Sequence, residues 1–113
     1  MSDERMRLFR LRLTSPREWV IQSLEQLGLK VVHASAVHRG FMFRPSAPSD
    51  LFVAVGLLFE RDDTRVRGGI VGRRRSVARV LDALYQHGVE QDEIGFRKES
   101  YGWNSDFPVD EDD

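Results

Sequence analysis

Residues 51–71, with the sequence LFVAVGLLFERDDTRVRGGIV, decide the fold. Residues 51–60 form an almost unbroken apolar run, which is typical of a strand that is buried on both faces. Residues 61–64, RDDT, have the composition of a turn, and residues 65–71 begin with alternating arginine and valine. The segment therefore predicts an antiparallel hairpin whose first strand lies inside a sheet.

The sequence on either side of this hairpin predicts further strands and two helices. The additional strands are predicted at residues 6–13, 30–37, 41–44 and 93–99. The element order β-α-β-β-β-β-α-β predicts an α+β fold, with two amphipathic helices packed on one face of a mostly antiparallel sheet. This order is similar to that of ferredoxin-like folds with an extra β-hairpin, and a right-handed crossover would make the first two strands parallel.

Both helices have recognisable start and stop signals. The first is predicted to begin at the sequence SPRE, where Ser15 caps the helix and Glu18 completes a capping box, and to end at Gly28. The second is predicted to begin at Ser76 and to end at Gly88. Each carries apolar residues three and four positions apart, so each has one face for the core.

Composition limits the class of protein. The 113 residues predict one folded domain at residues 1–100 and an aromatic-acidic tail at residues 101–113. The absence of cysteine excludes disulfides, thiolate metal sites and thiol nucleophiles. No apolar run is long enough to span a membrane, and the first residues lack the apolar stretch of a signal peptide. We therefore predict a cytoplasmic protein.

The near-neutral net charge of −1 hides a polarised distribution. All 17 basic residues lie between residues 5 and 105, together with only 11 of the 18 acidic residues, so this part carries a charge of +6. The other acids lie at the two ends, at Asp3, Glu4, Asp106, Asp110, Glu111, Asp112 and Asp113. A basic body with an acidic tail indicates binding to a charged partner. Because 15 of the basic residues are arginine, codon bias is the alternative explanation.

The sequence predicts no catalytic residue, no metal ligand set and no cofactor. His33 and His38 are expected on opposite faces of a strand and its turn, and His87 at a helix end, where a protonated imidazole would complement the helix dipole. The glycines of residues 68–72 lack the spacing of a phosphate-binding loop. They either relieve crowding in a strand or form a simple anion-binding corner.

Strand periodicity places several arginines on one surface. If Val66 faces the core, Arg65 and Arg67 lie on the opposite face of the sheet, and Arg10 and Arg12 are assigned to the same side by the same argument. Such a surface would suit the phosphates of a nucleic acid.

Two short segments resemble known RNA-directed families. Residues 39–43, RGFMF, resemble the basic-Gly-aromatic signature of the RNA-recognition motif, which implies base stacking by Phe41 and Phe43. Met42 stands where that family has a small residue. The layout of residues 27–88 resembles that of HicA-like ribonucleases, which implies a catalytic role for His38, although their Gly-Ser-His setting is absent.

The leading functional prediction is a small non-enzymatic binding protein that regulates or inhibits a macromolecular partner, of the immunity-protein, phage-inhibitor or adaptor type. A protein partner is favoured, with no membrane contact, and an edge strand offers a route to homo-oligomers. The alternative is a module that binds single-stranded RNA or DNA through Arg65, Arg67, Phe41 and Phe43. The predicted contact residues for the leading function are Arg73, Arg74, Arg75, Arg79, Trp103 and Phe107.

Overall fold

The computed structural model describes residues 6–97 except residues 38, 48 and 63, and only the backbone of residues 94–97. The strands are β1 (Met6–Thr14), β2 (Leu29–Ser35), β3 (Gly40–Pro45), β4 (Val53–Phe59), β5 (Arg65–Gly72) and β6 (Glu90–Arg97). The helices are α1 (Arg17–Leu27) and α2 (Arg74–Leu84), and a 3-10 turn, Tyr85–His87, follows α2. The predicted tail at residues 101–113 lies outside the described residues.

The six strands form one sheet in the order β2-β3-β4-β5-β1-β6, and every neighbouring pair is antiparallel. The predicted α+β class is confirmed, and the central hairpin of β4 and β5 has the expected pairing. β1 and β2 run in the same direction, but β3, β4 and β5 lie between them.

One face of the sheet and the two helices share the main hydrophobic core. Alternate residues of β1, β4 and β5 point into it, as Leu11, Val55 and Ile70 illustrate, and each is at most 1% exposed. Val20 and Leu24 of α1 and Val80 of α2 pack against them from the other side. Because both helices belong to this one cluster, they cover the same face.

The opposite side of the sheet, here called the second face, carries the other set of alternate residues. A smaller apolar cluster lies there, with Met6, Ala54 and Val71 buried and Leu8, Met42 and Phe52 packed around them and partly buried. No described helix belongs to this cluster. Among the described residues, the second face therefore has no helical layer over it.

Glycines in β5 allow β4 to approach closely. A Cβ atom on Gly68 would collide with the backbone oxygen of Gly56, and one on Gly72 would lie 2.6 Å from the backbone oxygen of Phe52. Both glycines lie within the strand. Of the two interpretations of this glycine-rich segment, relief of crowding is confirmed.

The predicted starts of both helices are wrong, for a common reason, whereas α1 ends at Gly28 as predicted. The residue before α1 is Pro16, without a side-chain capping bond, and α2 begins two residues before Ser76. The hydroxyls of Ser15 and Ser76 are buried and used elsewhere, since Ser76 Oγ accepts the backbone N–H of Phe52 at 2.7 Å. These serines link separate parts of the chain, which a local capping pattern cannot show.

Ser15 belongs to a buried hydrogen-bonded group centred on His87. The imidazole lies between two hydroxyls, with Nδ1 2.9 Å from Ser15 Oγ and Nε2 2.7 Å from Ser23 Oγ. His87 is only 6% exposed, and burial lowers its pKa below the ordinary value of 6.5. Burial thus opposes the protonated form that a helix end would favour. The ring is a structural element that ties α1 and the residue before it to the turn after α2.

β2 is an edge strand whose outer side has no neighbouring strand within the described part of the chain. Val31 and Val32 are 36% and 45% exposed, and the pairing with β3 is irregular between Val31 and His33. This is the kind of edge that the predicted homo-oligomer would use, and that prediction stays untested. Within the described residues, no helix is long and apolar enough to cross a membrane.

Replacement of Gly68 by alanine should destabilise the protein by about 1–3 kcal/mol, because the added methyl must push the β4 backbone away. Urea unfolding measures the change as a lower midpoint. Gly40→Ala is the matched control, since its added Cβ would come close only to the movable end of the Leu58 side chain, at 2.9 Å, while the Leu57 backbone oxygen would lie at an ordinary contact distance of 3.6 Å. Equal losses in the two variants would contradict the close backbone approach.

Stability should fall as the pH drops below about 6.5. The unfolded chain then binds a proton at His87 that the folded protein, with its lowered pKa, does not bind, so the stabilisation is complete above that pH and is lost below it. His87→Gln should remove this part of the pH dependence and cost about 1–3 kcal/mol, because buried hydroxyls lose partners. Urea unfolding across a pH series measures both effects. His33→Gln, at an exposed position, should preserve the wild-type slope.

Candidate anion-binding surface

Four arginines lie together on the second face, and they are called the arginine patch: Arg10, Arg12, Arg65 and Arg67. All four are exposed, and they belong to β1 and β5, which are neighbours in the sheet. The prediction that strand periodicity places these four on the side away from the core is confirmed. The sequence could not show which strands are neighbours. Because β1 and β5 pair in the sheet, Arg10 and Arg12 lie beside Arg65 and Arg67.

The centre of the patch is a direct cross-strand pair of like charges. Arg12 and Arg67 are register partners, so their Cβ atoms are about 5 Å apart. Neither side chain makes an ion pair within the described part of the chain. Like charges in this position are destabilising by a few tenths of a kcal/mol up to about 1 kcal/mol. An anion between the two guanidinium groups would reverse the sign of that contribution.

A cavity of about 440 Å³ opens beside this pair. Its wall includes Arg12, Arg65 and Arg67 together with Glu60 and Glu90. A second cavity of about 400 Å³ shares Arg12 and Glu90 with it and extends along β1 and β6. Together the two cavities are lined by the four arginines of the patch and by three carboxylates, those of Glu60, Glu90 and Asp92.

The acids of β6 only partly compensate for the patch. Arg10 Nη2 lies 3.2 Å from Asp92 Oδ2, in a pair whose side chains are 65% and 67% exposed. An ion pair so open to water contributes little, at most about 1 kcal/mol. Glu90 is the register partner of Arg12 but makes no ion pair with it among the described residues. A stronger anion can therefore compete for Arg12.

The arginines predicted as partner contacts lie at the other end of β5. The guanidinium carbon of Arg73 stacks 4.3 Å from the centroid of the Phe52 ring, and Arg79 pairs with Asp50 at 3.2 Å. Arg74 and Arg75 are exposed in the first turn of α2. β5 separates this group from Arg65 by about 25 Å of extended chain. Trp103 and Phe107, the other predicted contacts, lie outside the described residues.

The predicted base-stacking aromatics need a correction. Phe43 is completely buried and belongs to the main core, while Phe41 is packed against that core and stacks edge-on against Phe59, with the ring centroids 5.5 Å apart. Both rings therefore lie on the helix side of the sheet, opposite Arg65 and Arg67. The resemblance to the RNA-recognition motif rests on residue types alone. Stacking on bases also requires that the rings point to the open face of the sheet, and here both point to the core.

The other side chains considered for chemistry occupy structural or exposed positions. His33 is exposed on β2, and His38 lies outside the described residues. Asp62 accepts the backbone N–H of Thr64 at 3.1 Å, and this hydrogen bond is the main cause of its lowered pKa. In the part of the chain that the structure describes, no group of three histidine, aspartate or glutamate residues could hold a metal ion.

Sequence reasoning missed the apolar cluster beside the arginine patch. The alternation of β1 contained the signal, because Met6 and Leu8 share the parity of Arg10 and Arg12. Between the cluster and the patch, Gly56 and Gly69 are register partners, so this part of the second face has no side chains. The second face therefore changes from apolar to basic along β1.

Comparisons with known proteins add no further information: the chain matches no protein-family model, no curated protein and no solved structure significantly.

With no anion between the two guanidinium groups, replacement of Arg67 by glutamine should stabilise the protein slightly, by a few tenths of a kcal/mol, because it removes the repulsion from Arg12. An anion bound between them would make the same replacement destabilising. The gain should be larger at low salt, where screening is weaker. Urea unfolding at low and high salt measures it. The control is Arg61→Gln, which removes an exposed arginine outside the strands. An equal gain in the control would attribute the effect to net charge.

Proposed function

We propose that this protein is a small, cytoplasmic, non-enzymatic binding protein whose second face takes an acidic, aromatic-containing segment of a partner protein. Binding of that segment would regulate or inhibit the partner. The observation that carries the proposal is a combination on one side of the sheet. The guanidinium groups of Arg12 and Arg67 make no ion pair with any described residue, and the apolar cluster around Leu8 lies beside them.

Each part of the surface recognises a different part of such a segment. Arginine binds carboxylates through two parallel hydrogen bonds, which gives both attraction and orientation. The partly exposed apolar side chains of Leu8, Met42 and Phe52 offer contact area to an aromatic anchor.

A single-stranded nucleic acid is the competing ligand, since phosphates also bind arginines. The four arginines of the patch support that interpretation. Sequence-tolerant binding of single strands uses aromatic rings as stacking platforms, and Phe41 and Phe43 lie on the other side of the sheet. The ring of Phe52, on the second face, is already stacked by Arg73. The protein segment is therefore the better fit to this surface.

The architecture supports a further proposal about fold. Starting from one edge of the sheet, the strand order is β6, β1, β5, and β5 leads into α2. We propose that this is a ferredoxin-like arrangement in which the meander of β2, β3 and β4 is enlarged by one hairpin. An experimental structure of the chain would test it through the handedness of the α1 and α2 crossovers.

The double variant Arg12→Gln, Arg67→Gln should weaken binding of synthetic aspartate-rich peptides that contain tryptophan or phenylalanine by about tenfold or more, equivalent to ~1.4 kcal/mol. Isothermal titration or fluorescence anisotropy with the full chain measures the affinity. The charge-matched control is Arg74→Gln, Arg75→Gln, which removes the same charge from the start of α2. An equal loss in the control would move the contact surface to that helix.

Peptides in which serine replaces the aromatic residues separate recognition from simple charge attraction, and they should bind more weakly. The same titrations with a single-stranded RNA oligonucleotide test the alternative ligand. If the RNA binds more tightly, and the logarithm of its binding constant falls with the logarithm of salt concentration by about 0.7 per phosphate contacted, the ligand is a nucleic acid and the proposal of a protein segment is wrong.

A further inference from the structure

The second face has a direction, and the chain leaves the sheet at one end of it. Met6 and Leu8 lie at the apolar end, and Arg10 and Arg12 follow along β1 toward the basic end. The last residue of β6, Arg97, is the register partner of Met6. Residues 98–113 therefore begin beside the apolar end of this face.

Residues 98–113 carry the chemistry of the face in the same order. The aromatic residues Tyr101, Trp103 and Phe107 come first, and the acidic run of residues 110–113 follows. Starting from Arg97, the chain would therefore meet the apolar cluster with its aromatic part and the arginine patch with its acidic part.

The distances are compatible with this arrangement. Met6 and Arg12 are six residues apart on β1, and so are Phe107 and Asp113 in the segment. An extended chain covers about 20 Å over that number of residues, so both spans have the same length. The residues between Arg97 and Phe107 supply enough chain to turn back over the face.

We propose that residues 101–113 pack on the second face of their own chain, with Trp103 and Phe107 against the Leu8 cluster and residues 110–113 against Arg12, Arg65 and Arg67. The segment then acts as an internal competitor for the surface to which the proposed function assigns the partner, and this regulatory role rests on that function. A tethered segment has an effective concentration of about millimolar, so only a partner that binds more tightly displaces it.

The fluorescence of Trp103 tests the packing directly. Trp19→Phe removes the only other tryptophan, which is 60% exposed, and leaves the rest of the full chain intact. Trp103 should then emit at shorter wavelength, and be quenched several-fold less by acrylamide, than in a free peptide of residues 98–113. Equal emission and quenching in the two would overturn the proposal.

Substitutions on the second face identify where Trp103 packs. Leu8→Lys should shift its emission toward that of the free peptide. Because Leu8 is partly buried and its loss could unfold the sheet, Arg12→Gln, Arg67→Gln gives a second measurement at exposed positions, and high salt should act in the same direction. The control Arg74→Gln, Arg75→Gln should leave the emission unchanged. If Trp103 stays shielded from acrylamide in the Leu8 variant, in the double arginine variant and at high salt, the assignment to this face is wrong.

Two further results separate this inference from the proposed function. Shielding of Trp103 should be independent of protein concentration, and shielding that rises with concentration would assign the segment to a neighbouring copy and overturn the intramolecular contact.

An acidic aromatic peptide should bind several-fold more tightly after Trp103→Ala, Phe107→Ala. Equal affinity before and after would overturn self-competition while the proposed function stands. A shielded Trp103 with no peptide binding to either form would leave the packing in place and remove the function.

Discussion

Two helices of eleven residues can cover only one face of a six-stranded sheet, and much of the structure depends on this constraint. The covered face is a continuous apolar core, from Leu11 through Ile70 to Val55. The other face has to hold without a helical layer. It does so with a small apolar cluster at one end and long arginine side chains at the other, whose stems can cover apolar surface while their charges stay in water.

The strands could be predicted because their signals are local. The alternation of buried Val66 with exposed Arg65 and Arg67, and the apolar run of β4, follow from side-chain direction along a strand. Helix starts are normally as local, but Ser15 and Ser76 fail as caps because distant groups, His87 and the backbone of Phe52, bind their hydroxyls. A capping pattern describes what a serine can do, and the tertiary structure decides which partner it has.

At the candidate site too, the local pattern could be predicted and the long-range contacts could not. Parity alone assigned the four arginines to one face, but only the pairing of β1 with β5 makes Arg12 and Arg67 neighbours. That pairing joins residues more than fifty positions apart, and no local pattern encodes it. Phe41 and Phe43 show the converse error, because a motif match fixes residue types while burial depends on which side of β3 the rings occupy. Functions assigned from short motifs need this check of orientation.

The hydroxyl–imidazole–hydroxyl arrangement at His87 has a consequence for motion. It connects Ser15, two residues before α1, and Ser23, in the middle of that helix, to the turn that follows α2. If either helix detached alone, buried polar atoms on the other would lose their partners, at a cost of about 1–3 kcal/mol for each. We therefore expect the helical layer to open as one cooperative unit, so that the slowest amide protons of α1 and α2 exchange with similar free energies of opening.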